Sequence, residues 1–282
     1  LGDVYKRQVL SCSVAISALF FHACSSSDDS MIDAPLTRAD AVSEKIVFQD
    51  DFNQVDSIPD RNKWSLCKKG SPAWSKYLSE SYDQAYVHDG KLVLVAEKVN
   101  GVYKTGGVQS LGKAEFQYGK IEICARFTKT AKGGWPAIWM MPAKPVYSGW
   151  PACGEIDIME QLNHDGIVYQ TIHSHYKNDL GFTKPVPTKT VSYNKGQFNI
   201  FGIEWTPEAL TFKVNGATTL VYPNLHLADE SVKKQWPFDT SFYLILNYAL
   251  GGPGTWPGTI TDSELPAKME IDWVKVSQPT GR

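Results

Sequence analysis

The chain has 282 residues, 28 basic and 30 acidic side chains and a formal charge of −2. That balance gives no electrostatic ground for a nucleic-acid partner, and 43 % hydrophobic with 21 % charged residues is ordinary for a globular protein, which sets aside a disordered or multispan membrane chain. Less ordinary are 9 Trp, 13 Tyr and 12 Phe beside 22 Gly and 16 Pro; they exclude a coiled coil and favour a large, turn-rich β domain.

In chain order, the first feature is an apolar run from Val9 to Ala23, preceded by Lys6 and Arg7. It is short for a transmembrane helix, which needs roughly 20 residues, and reads as the apolar region of an export signal. Cys24 and a Ser/Asp stretch follow. A small residue, a Cys and then polar residues resemble a bacterial lipoprotein signal, in which that Cys is lipidated. A plain cleaved signal is the alternative. Residues 1–24 are therefore expected to be a signal and 25–43 a flexible tether. The expected location is the outer membrane or cell surface through a lipid on Cys24, otherwise the periplasm or medium. Cys67, Cys124 and Cys153 remain in the body. Three thiols allow at most one disulfide, and without a CxxC pair a cysteine zinc site is not expected.

From Glu44 onward, short strand-like runs recur. Lys91–Glu97 follows the turn signal Asp89-Gly90, and Lys120–Phe127 follows Tyr118-Gly119. Leu210–Val214 and Thr218–Tyr222 flank Asn215-Gly216, a strong hairpin signal. Phe242–Leu250 and Met269–Val276 are the last two. Alternation puts Met269, Ile271 and Trp273 on one face of the final strand and Glu270, Asp272 and Val274 on the other. No 12-residue amphipathic helix stands out. The expected fold is all-β, a two-sheet antiparallel jelly-roll sandwich of one domain, residues 44–279.

The chemistry is concentrated in Gly154–Glu160, reading GEIDIME. Glu155 and Asp157 share a face of a regular strand. Glu160 is five positions from Glu155 and would fall on the other face. The consecutive apolar residues Ile158 and Met159 predict a β-bulge, which adds one residue and returns Glu160 to the acidic face. Carboxylates this close raise at least one pKa, the condition for an acid and a carboxylate to coexist near neutral pH. Glycosidic bond cleavage needs such a pair.

Together with GGWPAIWMMP (Gly133–Pro142) and GWPACGEIDIME (Gly149–Glu160), this motif resembles glycoside hydrolase family 16. The match is to the branch with a bulged E-x-D-x-x-E signature, which includes laminarinases and related endo-β-glucanases, and it extends over roughly Val47 to Val276. The resemblance implies a concanavalin-like sandwich with an open cleft and an endo-acting, retaining enzyme. It makes Glu155 the nucleophile, Glu160 the acid and then base, and Asp157 the residue that orients the nucleophile. It places Trp135, Trp139, Trp150, Arg126 and His173 at the cleft. Core packing is the alternative for each tryptophan, and His-x-His at His173 and His175 lacks an evident third zinc ligand. Asn247, which interrupts FYLILNYAL, is either a satisfied core group or a cleft donor, and the resemblance favours the cleft. Trp256 in GTWPG is placed as a loop cap beside the cleft.

No cofactor is expected for catalysis. The resemblance implies a structural calcium ion held by Asp51, the Gly90 carbonyl and Asp272, with surface carboxylates at strand ends as the alternative. The expected substrate is a β-1,3- or mixed-linkage β-1,3/1,4-glucan. Galactosides of mucin-type O-glycans and algal galactans are alternatives. A non-catalytic surface glycan-binding lipoprotein is the alternative of another class. A monomer is expected.

Overall fold

The computed structural model describes residues 43–280. Two antiparallel sheets account for nearly all of its regular structure. The nine-stranded sheet runs β14 (Ala217–Pro223), β13 (Ala209–Val214), β12 (Asn199–Trp205), β7 (Gly119–Lys129), β16 (Ala267–Pro279), β4 (Lys91–Val99) and β3 (Ala85–His88). To it β1 (Glu44–Asp50) adds against β16, and β5 (Val102–Thr105) against β4. The seven-stranded sheet runs β11 (Thr188–Ser192), β10 (Ile167–His173), β9 (Glu155–Gln161), β8 (Gly134–Pro142), β15 (Phe242–Leu250), β6 (Gly107–Gln109) and β2 (Ser65–Leu66). The single α-helix among the described residues is one turn long, α1 (His175–Asn178).

The core lies between the sheets. Ile121, Ile123, Ala125 and Phe127 of β7 meet Ile138 and Met140 of β8, Ile156 of β9 and Leu244 and Leu246 of β15 in one buried cluster. Burying this much aliphatic and aromatic area is the main favourable term in holding the sheets together. Local signals close the hairpins. Asn215 and Gly216 both take positive φ, 51° and 81°, as a two-residue turn between β13 and β14 requires.

One expectation is corrected here. Strict alternation fails in β16, where the register against β7 slips between Ile271 and Trp273. The extra residue, Asp272, turns Val274 and Val276 inward with Met269 and Ile271, while Trp273 faces outward with Lys275 5.3 Å from its ring centre. Cys67, Cys124 and Cys153 are all free and buried; burial pushes the Cys124 thiol up to about 11. The signal (1–24), the tether up to residue 42 and Cys24 lie outside the described residues.

Candidate active site

Gly154 opens the central segment with φ of +86°. A Cβ there would come within 2.7 Å of Pro237 Cγ, so the chain can enter β9 this way only through glycine. Along β9, Ile156 pairs with Met140 and Asp157 with Trp139, then Met159 with Ile138 and Glu160 with Ala137. Ile158 has no counterpart on β8. The register against β10 shifts at the same place, from Asp157 opposite Thr171 to Glu160 opposite Tyr169. Ile158 is therefore the extra residue of a bulge. Ile156, Ile158 and Met159 all enter the core, fully buried, and Glu155, Asp157 and Glu160 emerge together on the opposite face. Gln170, buried on β10, donates from Nε2 to the Ile158 carbonyl at 3.2 Å and accepts from the Thr219 hydroxyl. It supplies the partner that a bulged carbonyl loses from its ladder.

The acidic face floors a groove of about 740 Å³. Trp135, Trp139, Trp150, His173 and Trp256 line it, as does Lys177 from α1. The outer two carboxylates each receive an indole N–H: Trp135 Nε1 donates to Glu160 at 2.9 Å, and Trp150 Nε1 to Glu155 at 2.5 Å. Trp150 and Trp256 stand at the rim, 57 % and 51 % exposed, where an apolar ring face can meet a ligand. Trp256 packs edge-on against Trp135, centroids 5.8 Å apart, and against Tyr169 at 4.8 Å. Sequence reasoning missed Trp74, which packs edge-on against Trp139 at 4.8 Å, and also Tyr169, Tyr243 and Lys177, which line the same groove. Tyr169 had a usable signal, since period-2 alternation on β10 puts it on the face of Thr171 and His173. Tyr243 had the same kind of signal, since it shares a face of FYLILNYAL with the cleft candidate Asn247; Trp74 comes from a segment that nothing local ties to β9.

Burial pushes Glu155 up to about 8, reinforced by the charge of Asp157 and opposed by His173 and the Trp150 N–H. Burial likewise raises Asp157, against the hydrogen bond it shares with Glu155. It raises Glu160 well above the carboxylate range, with the charge of Asp157 adding and the Trp135 N–H opposing. Three carboxyls in one desolvated patch cannot all ionise near neutral pH, so the cluster retains protons, one of which the neighbours Glu155 and Asp157 can share.

This arrangement costs stability. A carboxyl raised in the fold binds protons that the unfolded chain has already released, so its contribution is favourable below the unfolded value of about 4.3. It is lost as pH rises through the folded value near 8. Glu155→Gln removes the titration. We expect its melting temperature to exceed wild type at pH 8 by ~2–4 °C, the shift that about 1 kcal/mol gives in a chain this size, and the gap to close toward pH 4. Thermal melts across that range check this; a gap that widened toward acid would contradict it.

Some predicted residues lie elsewhere. Arg126 is not in the groove. It projects from the outer face of β7 in the other sheet, where its guanidinium bonds Glu270 at 2.7–2.8 Å and covers the Phe198 ring at 4.5 Å. Strand parity sets it opposite Ile121, Ile123 and Phe127, which enter the core, so its face is the protein's far side. Asn247 is on the groove side of β15 yet fully buried; its Oδ1 accepts from Trp139 Nε1 at 2.7 Å, so it supports the floor of the groove from beneath. His175 is not on β10 with His173. The strand ends at His173, Ser174 caps α1, and His175 pairs with Asp179 at 2.6 Å.

The calcium candidates lie at one end of the nine-stranded sheet. Asp50 stands opposite Val274, which brings Asp51 beside the Asp272 bulge. Gly90 is in the β3–β4 turn, near Asn53 Oδ1. The donors are all oxygen, which fits the chemistry of a hard cation.

A family model, Glycosyl hydrolases family 16, matches residues 74–275. A keratan-sulfate endo-1,4-beta-galactosidase from Sphingobacterium multivorum is 39 % identical over 240 residues, 82 % of this chain and 54 % of that protein. The chain thus spans about half the length of that relative. Among solved structures, one from work on human gut microbiota that express endo-acting O-glycanases to initiate mucin breakdown superposes with a TM-score of 0.74. It is 38 % identical and covers 82 % of this chain and 98 % of its own. The laminarinase from Rhodothermus marinus superposes with a TM-score of 0.75 at 30 % identity, covering 85 % and 99 %.

Proposed function

Because the chain belongs to glycosyl hydrolases family 16, we propose that its groove cuts internal β-glycosidic bonds of a polysaccharide or glycan by double displacement, with retention of configuration. The observation that carries this reading is the bulge at Ile158, which turns three carboxyls onto one face with an indole N–H aimed at each outer one.

In this mechanism Glu160 holds its proton at neutral pH and gives it to the departing glycosidic oxygen. Glu155 attacks the anomeric carbon and forms a glycosyl-enzyme. The Trp150 N–H favours the charge on Glu155, and the shared proton then rests on Asp157, where it hydrogen-bonds and orients the nucleophile. Glu160, now a carboxylate, takes a proton from water as that water displaces Glu155. The rim tryptophans offer flat apolar faces to the CH faces of sugar rings, and an open groove suits attack within a chain rather than at its end.

The substrate reading from sequence is a β-1,3- or mixed-linkage β-1,3/1,4-glucan, supported by likeness to the laminarinase. The second reading is an internal β-galactoside of keratan-type or mucin-type glycans. The higher identity to the galactosidase and to the O-glycanase structure, 39 % and 38 %, favours it. Incubation with laminarin, barley β-glucan, keratan sulfate and mucin O-glycans, followed by product sizing, decides between them. Shortened internal fragments from one class identify it. Glycan bound but never shortened would support a surface binding protein instead.

Export and lipidation at Cys24 are part of the same proposal, supported by the apolar run before it; Cys24→Ala in cells grown with labelled palmitate tests them. A calcium ion held by Asp51, the Gly90 carbonyl and Asp272 would brace the sheet end away from the groove. We expect 1 mM Ca²⁺ to raise the melting temperature over chelator by ~5–10 °C, since a ligand at 100 times its Kd adds about 2.7 kcal/mol. Asp272→Ala should abolish that difference. Identical melts with Ca²⁺ and chelator would remove the ion from the proposal.

A further inference from the structure

We propose that Lys177 is a positioning residue: with Asn178 it holds the imidazole of His173 as the tautomer whose proton sits on Nε2, aimed at Asp157. The inference rests on the hydrolase reading of the groove. The deduction starts from a backbone group. Ser174 N–H is directed at Asn178 Oδ1, 3.3 Å away. An amide oxygen is needed there, so the amide orientation is set and Nδ2 is the atom 3.0 Å from His173 Nδ1. Nδ2 only donates. Lys177 Nζ stands 3.3 Å from the same Nδ1, and an ammonium also only donates. Asn178 Oδ1 is also 3.3 Å from Nδ1, but it is turned to the Ser174 N–H and is farther than Nδ2; two donors against one longer acceptor favour a lone pair on Nδ1, and the ring proton then belongs on Nε2.

Nε2 lies 3.2 Å from Asp157 Oδ2. That oxygen is buried and has no aligned hydrogen bond, so the contact is poised rather than made, as catalytic contacts often are before substrate binds. The charged and titratable groups facing His173 are Glu155 and Asp157 from β9 and Lys177 from α1; Trp150, 5.6 Å away between ring centres, adds a neutral wall. Lys177 itself is half-buried and has no carboxylate within 4 Å among the described residues. Its charge is therefore not spent on a surface ion pair.

The consequence is chemical. With its proton on Nε2, the ring can give a hydrogen bond to Asp157 but cannot take the proton that Asp157 shares with Glu155. That proton is confined to the carboxyl pair, and the charge can move onto the nucleophile. Without Lys177 only the Asn178 amide holds the ring, and its Oδ1, 3.3 Å from the same Nδ1, can accept a proton there instead, leaving Nε2 as a competing base one contact from the pair.

Lys177→Met and Lys177→Gln, with Lys177→Arg as the conservative control, test this by two readouts. Nitrogen NMR of the full-length protein should show His173 protonated at Nε2 across about pH 6 to 8, and a mixture of tautomers in the Met and Gln variants. Against a cleaved glycan, the acidic limb of kcat/KM should move up by ~1 pH unit in those variants, because a cation that favours the ionised carboxyls is gone. KM should change little, and Arg should restore both readouts. A wild-type ring protonated at Nδ1, or Met and Gln variants with unchanged tautomer and pH profile, overturns the proposal. The NMR readout needs no substrate, so a wrong tautomer and a failure to cut any glycan are told apart: the first overturns this proposal alone, the second the hydrolase reading on which the positioning role rests.

Discussion

Glu155→Gln is expected to lower kcat by at least ~10⁴-fold, the scale on which removal of a nucleophile acts, while substrate affinity stays near wild type. The amide keeps the shape of the carboxyl and its contact with the Trp150 N–H, so the tryptophan-lined groove still holds the glycan. It cannot form the covalent intermediate. Isothermal titration with an oligosaccharide, alongside reducing-end release, reads both quantities. The partner variant gives the contrast. Glu160→Gln should be equally weak on natural glycans, yet lose far less on an aryl glycoside whose leaving group needs no proton. If Glu155→Gln instead keeps its activity on the aryl glycoside and Glu160→Gln loses it, the two roles must be exchanged; wild-type turnover by either removes that residue from the chemistry.

Deleting Ile158 is the second large effect. Ile158 is the residue without a counterpart on either neighbouring strand. Removing it restores strict alternation, and alternation cannot keep both ends of the motif where they are. Either Glu160 turns into the core in place of Met159, or Glu155 and Asp157 do. A carboxyl driven into that cluster costs several kcal/mol or forces the strand apart. We expect no detectable hydrolysis and a lower melting temperature. Gln170→Leu is the milder companion, because it leaves the bulge but removes the amide that serves its carbonyl. The cost of leaving that buried carbonyl unpaired is ~1–3 kcal/mol, so this variant should fold, melt earlier and retain measurable turnover. A deletion variant with full activity would mean that the bulge does not set the acidic face.

The bulge also marks how far local reading reaches. The carboxylate spacing and the apolar pair Ile158-Met159 were sufficient to require an irregular strand, because side-chain direction along a strand has a fixed period of two. In β16 the same irregularity passed unnoticed. Glu270-Asp272 alternates cleanly with Met269, Ile271 and Trp273, and only the register against β7 reveals that Asp272 is extra. Arg126, which the resemblance places at the cleft, stands on the far side of the molecule. Parity says which residues point together; it does not say which sheet a strand joins, and β7 pairs with β12 and β16 rather than with the strands that carry the groove.

Local patterns were enough for several of the longer strands, the hairpin at Asn215-Gly216, the three acids and the need for a bulge to unite them. Each follows from backbone stereochemistry and from apolar and polar side chains repeating over a few residues. It took the folded chain to show that Trp74 and Lys177 share the groove, that Asn247 supports Trp139 from below and that Arg126 faces away. Those contacts join segments as far apart as Trp74 and Lys177. They arise from how two sheets pair and pack, a global balance of buried area that no short window of residues contains.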